Sequence, residues 1–137
     1  MKFIRYWFPV IVWMGVIFFL SGRSSVQVAE EPVINFIFFK TLHVIEYSIL
    51  FALFVRALGN SYKFSKLFHL YLTAFLLTVV YAASDEIHQL FVPTREGRAR
   101  DVIIDAIGAG GVWIYLQLLL PKAPKRLRVW AKNWEIG

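Results

Sequence analysis

Four long apolar runs constrain the fold of this chain more than any other feature. They cover residues 3–20, about 34–58, 67–83 and 102–120. A helix rises about 1.5 Å per residue, so runs of this length cross or nearly cross a hydrocarbon core of about 30 Å. Because the bilayer core offers the backbone no water to bind, helices are the favoured structure for such runs. The sequence therefore predicts an all-α membrane protein with four transmembrane helices.

The composition supports the membrane assignment. Of 137 residues, 58% are hydrophobic and 18% are charged, whereas a soluble domain carries about a quarter charged residues. The absence of cysteine excludes disulfides, a thiolate nucleophile and a zinc–thiolate centre. Residues 21–25 form a poor signal-peptide cleavage site, so the first run is expected to be retained. We expect one four-helix domain over residues 1–121 and a basic tail over 122–137.

Lys and Arg residues are distributed unequally between the two sides of the four predicted spans. One side carries Lys2, Arg5, Arg56, Lys63, Lys66, Lys122, Lys125, Arg126, Arg128 and Lys132, and the other carries Arg23, Lys40, Arg95, Arg98 and Arg100. The richer side marks the cytoplasm, which predicts that both termini are inside. The net charge of +6 is thus interpreted as a topology signal, and no nucleic-acid partner is expected. The tail is expected to contact anionic lipid of the inner leaflet.

Costly polar residues gather at the predicted outer ends of the helices. Residues 84–89 (Ser-Asp-Glu-Ile-His-Gln) end the third run, and Asp101 and Asp105 open the fourth. A carboxylate at the bilayer centre costs roughly 2.5–3.5 kcal/mol, so an intramembrane cluster indicates a functional site. If the third helix continues past residue 83, Asp85, His88 and Gln89 share one of its faces.

The second and fourth runs each add a wall to this predicted site. Lys40, His43 and Tyr47 share a helical face with Glu46 at its margin; a self-contained polar patch at the interface is the alternative. Asp101 fits either the site or a helix cap. Asp105 lies deeper, and an ion pair with an arginine among residues 95–100 would offset its burial. Small residues at 108–111 would let another helix approach closely.

We predict one polar site at the extracytoplasmic ends of the four helices. The candidate binding residues are Lys40, His43, Glu46, Ser84, Asp85, Glu86, His88, Gln89, Arg95, Arg98, Asp101 and Asp105. If the protein is an enzyme, the catalytic candidates are Glu86, Asp105 and His43, acting through carboxylate acid–base chemistry. The histidines and carboxylates would permit zinc, but no H-E-x-x-H motif is present and cations share the patch. No metal and no cofactor are therefore expected.

Three motifs carry a family resemblance. They are Lys40-x-x-His43-x-x-Glu46-Tyr47, then Ser84-Asp85-Glu86-x-His88-Gln89-x-Phe91-Val92-Pro93-x-Arg95, then Asp101-Val102-x-x-Asp105-x-x-Gly108. Over about residues 3–120 the chain resembles the VanZ-like membrane proteins. It departs from their pattern at Thr94, where glycine is usual, and at Ala106, where threonine is common. Neither departure removes an ionisable group.

The resemblance implies a multi-pass protein of the bacterial inner membrane, linked to resistance to teicoplanin-type glycopeptides. Combined with the polar site, it leads us to expect an outer-leaflet polar cavity that binds a lipid-linked cell-wall intermediate or a lipoglycopeptide. An intramembrane hydrolase or transferase acting on an envelope lipid is the second expectation, and a structural assembly factor is the third. Membrane lipids are the expected partners, and the oligomeric state stays open.

Overall fold

The protein is a bundle of long helices. A computed structural model describes residues 2–23, 30–93 and 97–136. Its α-helices are α1 (Lys2–Ser21), α2 (Pro32–Ser61), α3 (Leu67–Gln89), α4 (Ala99–Ile114) and α5 (Lys125–Asn133). Within the described residues, four segments are long and apolar enough to cross a membrane: Phe3–Ser21, Val33–Ser61, Leu67–Gln89 and Ala99–Lys122. The prediction of an all-α protein with four apolar spans is confirmed at this level.

Two prolines account for local features of the helices. Pro32 begins α2, where its fixed φ fits and its missing N–H is not needed. Pro121 follows α4, whose last part widens into a π-helical segment, Tyr115–Leu119, and then a 3-10 turn, Leu120–Lys122. A proline ring clashes with the carbonyl four residues earlier and donates no hydrogen bond. The regular α-helical pattern therefore ends before Pro121.

The core is centred on α2, which contacts α1, α3 and α4. Its buried side chains include Tyr47, Leu50, Phe51 and Phe54, and their spacing places them on one helical stripe. Many outward apolar side chains stay exposed in the bundle, such as Phe8 on α1. A lipid-facing surface of this kind is normal for spanning helices, since lipid tails are as apolar as the side chains.

A close crossing fixes α2 against α4. Gly108 of α4 is buried, and a Cβ built there would lie 2.6 Å from the carbonyl oxygen of Val44. Ser48 Oγ of α2 donates a hydrogen bond of 3.1 Å to the Gly108 carbonyl. The predicted close approach at residues 108–111 is confirmed at Gly108, whereas a Cβ at Gly111 would meet nothing within 4 Å. This crossing sets the register of the two helices that carry His43 and Asp105.

The two ends of the bundle differ in chemistry. At one end, the last turns of α1 and α3 meet each other, and the third and fourth turns of α2 meet the opening turns of α4. The opposite end joins α1 to the end of α2 through a 3.0 Å hydrogen bond from Trp7 Nε1 to Ser61 Oγ. The tail returns to this opposite end, where Glu135 accepts from Tyr6 and pairs with Arg56 at 3.2 Å. The basic tail therefore docks on the bundle, which its charge pattern alone did not indicate.

Candidate functional site

The first part of the polar end joins α1 to α3. Ser21 Oγ donates a 2.8 Å hydrogen bond to Asp85 Oδ2, and Gln89 Nε2 donates to the same oxygen at 3.0 Å. All three residues are buried. Because α3 continues to Gln89, the predicted i to i+4 pairing of Asp85 with Gln89 forms on one helical face. Hydrogen bonds to a charged acceptor are worth about 1.5–3 kcal/mol each, so this chain of contacts locks the two helix ends together.

Glu86 ties α3 to the start of α4. Its Oε2 accepts a 2.8 Å hydrogen bond from the backbone N–H of Arg98, the N-cap residue of α4. The other carboxylate oxygen of Glu86, Oε1, lies 3.4 Å from Gln89 Nε2. A Cβ at Gly97 would overlap the Glu86 carbonyl oxygen, so this close passage of the chain requires glycine. These contacts hold the backbone at residues 97–98 against Glu86.

Asp101 joins α4 to α2. Lys40 Nζ lies 2.6 Å from Asp101 Oδ2, and Arg100 Nε lies 3.6 Å from Oδ1. Both cations also lie over the ring of Phe36, at 5.8 Å for Lys40 and 5.0 Å for Arg100. The N-cap of α4 makes no side-chain capping hydrogen bond. Of the two readings that the sequence left open, pairing across helices describes Asp101 better than capping.

The deepest pair is formed by His43 of α2 and Asp105 of α4. His43 Nδ1 lies 3.3 Å from Asp105 Oδ1, which is ion-pair distance. The pair does not meet hydrogen-bond geometry, and neither carboxylate oxygen of Asp105 has a hydrogen-bond partner among the described residues. Asp105 is 1% exposed, and Tyr47 stacks beside His43 with ring centroids 6.3 Å apart. The sequence led us to expect an arginine beside Asp105; Arg95 lies outside the described residues, and the contact that the structure gives among them is with His43.

Three of these side chains converge from three helices. One ligand-type atom each of His43, Glu86 and Asp105 lies within 4.8 Å of the others, and all three residues are buried. The polar residues of α1 to α4 thus form one connected cluster rather than separate patches. Such a cluster can hold a cation, exchange protons or bind a polar group.

The profile of the VanZ/LLP1 family matches residues 6–120, which is most of the chain. The chain belongs to the VanZ/LLP1 family. The resemblance seen in the three motifs is therefore confirmed, and the protein is a multi-pass membrane protein of this family. Comparisons with curated proteins and with solved structures gave no match. The VanZ/LLP1 match includes α2, α3 and α4 completely and ends before α5.

Some predicted site residues of the VanZ/LLP1 domain lie away from the cluster's centre. Ser84 is exposed and donates to the Tyr81 carbonyl. His88 stacks on Phe18 of α1, with ring centroids 4.0 Å apart. Glu46 is half-buried, and its backbone carbonyl accepts a bond from Trp13. These residues border the cluster and do not take part in the three-helix convergence.

Other residues were missed or cannot be placed. Arg95 lies outside the described residues, and Arg98 contributes its backbone N–H to Glu86. Ser21 and Phe36 join the polar end although neither was among the candidates. The position of Ser21 at the end of an apolar run was a usable signal. Phe36 carried none, because one phenylalanine in an aromatic-rich helix looks like any other.

Proposed function

We propose that this protein is a bacterial cell-envelope membrane protein whose polar end binds the headgroup of an amphiphile. The ligand class is a lipid-linked cell-wall intermediate or a lipoglycopeptide, and the role is linked to teicoplanin-type resistance. The observation that carries the proposal is the convergence of buried polar side chains from α1, α2, α3 and α4 at one end. Burying this many ionisable groups in a spanning bundle is costly, which favours a use beyond packing.

The chemistry of the cluster suits a headgroup that contains both phosphate and many N–H or O–H donors. Lys40 and the exposed Arg100 lie at the edge beside Phe36, and such cations bind phosphate oxygens. Farther in, Asp85 and Asp101 are buried, and each has a carboxylate oxygen without a hydrogen-bond partner in the part of the chain that the structure describes. Carboxylates accept hydrogen bonds from sugar hydroxyls and peptide N–H groups. A diphosphate that carries sugars and a peptide has this combination.

An apolar groove lies on α2 at the level of the cationic edge, on a face of that helix turned away from Lys40. It has a volume of about 550 Å³ and is lined by Ile34, Ile37, Phe38, Thr41, Leu42 and Ile45 of α2. Lys40 occupies the same stretch of helix. Any lipid chain would fit a surface of this kind, so we assign selectivity to the headgroup contacts.

The orientation of the site is part of the proposal. The end opposite the cluster holds Arg5, Arg56 and the basic tail, and positive residues favour the cytoplasmic side. The cluster then lies on the extracytoplasmic side, where cell-wall intermediates and glycopeptides meet the membrane.

A second function, a hydrolase or transferase acting on an envelope lipid, is favoured by the pairing of His43 with Asp105. A histidine beside a carboxylate is suited to accept a proton from water or a hydroxyl. Glu86, whose carboxylate approaches the same point, would be the complementary acid or base.

Binding and product formation together separate the two functions. The purified protein in nanodiscs is titrated with a polyprenyl-diphosphate-linked sugar–peptide and, separately, with teicoplanin, and the lipid is then checked for chemical change. For a binder, Glu86→Gln weakens affinity by about ten- to a hundredfold, the equivalent of one charge-assisted hydrogen bond, and the ligand stays intact. The exposed Glu31→Gln variant serves as the matched control and keeps wild-type affinity.

The opposite pattern supports the enzyme. A product that forms with the wild type and disappears in Glu86→Gln, while binding survives, would replace the binding proposal. Absence of saturable binding by both probes would remove the headgroup proposal itself.

A further inference from the structure

The convergence of His43, Glu86 and Asp105 has the geometry of a ligand set. Each residue comes from a different helix, and one ligand-type atom of each lies within 4.8 Å of the others. The scaffold that presents them is closely fitted: Gly108 sets the distance between α2 and α4, and the Arg98 N–H fixes Glu86. Metal-binding side chains need such backbone positions, because ligand atoms must meet within a few tenths of an ångström.

The unsatisfied groups of this set point to a bound cation. Asp105 is 1% exposed, and within residues 2–23, 30–93 and 97–136 neither of its carboxylate oxygens has a hydrogen-bond partner. His43 Nδ1, which faces it at 3.3 Å, has no hydrogen-bond partner in these ranges either. Buried polar groups without partners are rare in proteins and costly. A metal ion bonded to the carboxylate and the imidazole would satisfy both.

The charge balance agrees with a divalent ion. Lys40 lies 2.6 Å from Asp101, so the nearest lysine is already paired within the cluster. Lys40 and Arg100, two of the cations that argued against a metal in the sequence, therefore contact Asp101 rather than the three-residue set. Glu86 and Asp105 together supply two negative charges, and a neutral imidazole supplies a nitrogen ligand.

We propose that His43, Glu86 and Asp105 bind one zinc ion within the helix bundle. One imidazole nitrogen with two carboxylate oxygens is a donor set that zinc accepts, and three protein ligands leave a fourth position open. The imidazole disfavours magnesium and calcium, which prefer all-oxygen shells. Bonds of about 2.1 Å in a tetrahedral site separate ligand atoms by about 3.4 Å, so the side chains must close in slightly from their present separation.

Metal binding is tested on the full-length protein in detergent, without a histidine tag and without any lipid ligand. The protein is stripped with a chelator, loaded with zinc, dialysed and analysed for metal content. We expect one zinc per chain and a higher thermal midpoint than that of the stripped protein. His43→Asn and Asp105→Asn should each weaken zinc affinity by at least about 100-fold, since loss of even an outer-shell partner costs about 10–100-fold.

His69→Asn is the matched control because this histidine is exposed and contacts Ser65 at the start of α3. Zinc that is retained by this variant and lost by the other two supports the site. Substoichiometric zinc in the wild type, or zinc lost in His69→Asn, would overturn it. Should the ligand variants fail to fold, X-ray absorption of the zinc-loaded wild type decides. One imidazole with oxygen neighbours supports the proposal, and two or more imidazoles contradict it.

Discussion

The crossing at Gly108 lends itself to a quantitative test by Gly108→Ala. The added Cβ would lie 2.6 Å from the Val44 carbonyl oxygen and 3.2 Å from Ser48 Oγ. Carbon–oxygen contacts normally begin near 3.3 Å, so α2 and α4 must separate locally by about 0.7 Å. Separation on this scale also weakens the 3.1 Å hydrogen bond from Ser48 to the Gly108 carbonyl.

The magnitudes favour destabilisation. Overpacking costs about 1–3 kcal/mol, and the weakened hydrogen bond is worth about 0.5–1.5 kcal/mol. Alanine regains up to about 1 kcal/mol through its helix propensity. We therefore expect Gly108→Ala to lower the free energy of unfolding by about 1–3 kcal/mol. Asp105 lies one turn away on α4, so the variant should also weaken zinc binding at the proposed site.

Gly111→Ala is the matched control on the same helix. A Cβ at Gly111 meets nothing within 4 Å, so this variant should be neutral or stabilising by up to about 1 kcal/mol. Both free energies are measured by unfolding in mixed micelles with increasing sodium dodecyl sulfate. If Gly108→Ala unfolds at the same or a higher detergent fraction than Gly111→Ala, the close crossing is not a constraint and the reasoning fails.

Two further predictions address topology and the polar end. The chain has no native cysteine, so a cysteine at Ser24 should react with an impermeant maleimide on intact cells, while one at Lys63 should react only after permeabilisation; the reverse pattern would invert the proposed orientation. Ser21→Ala should lower the free energy of unfolding by about 1.5–3 kcal/mol, because it removes a buried donor from the Asp85 carboxylate. Ser84→Ala, at an exposed position, should change the free energy of unfolding by less than about 0.5 kcal/mol. Equal effects in the two variants would show that the Ser21–Asp85 hydrogen bond does not stabilise the protein.

The apolar runs predicted the elements well because membrane helices must satisfy their backbone internally. The structure confirms four apolar spans and continues α3 through residues 84–89. Spacing also identified Asp85 with Gln89 as same-face neighbours. These are local properties, and sequence reports them directly.

Partners across helices were harder to predict. Spacing says which residues share a face, but the rotation and register of each helix are set by packing at points such as Gly108. That is why spacing did not identify His43 as the residue that Asp105 faces. The docking of Glu135 onto Arg56 was missed for the same reason, since the tail's local pattern is only basic.

The central claim is that the polar end of the bundle holds the headgroup of an envelope amphiphile. The most direct measurement is photo-crosslinking in native membranes with a polyprenyl diphosphate that carries a photoreactive group on its headgroup, followed by peptide mapping. We expect adducts on the peptides that contain Lys40 and residues 98–101, and excess unlabelled lipid should suppress them. Adducts confined to α5 and the basic end, or adducts that excess lipid does not suppress, would contradict it.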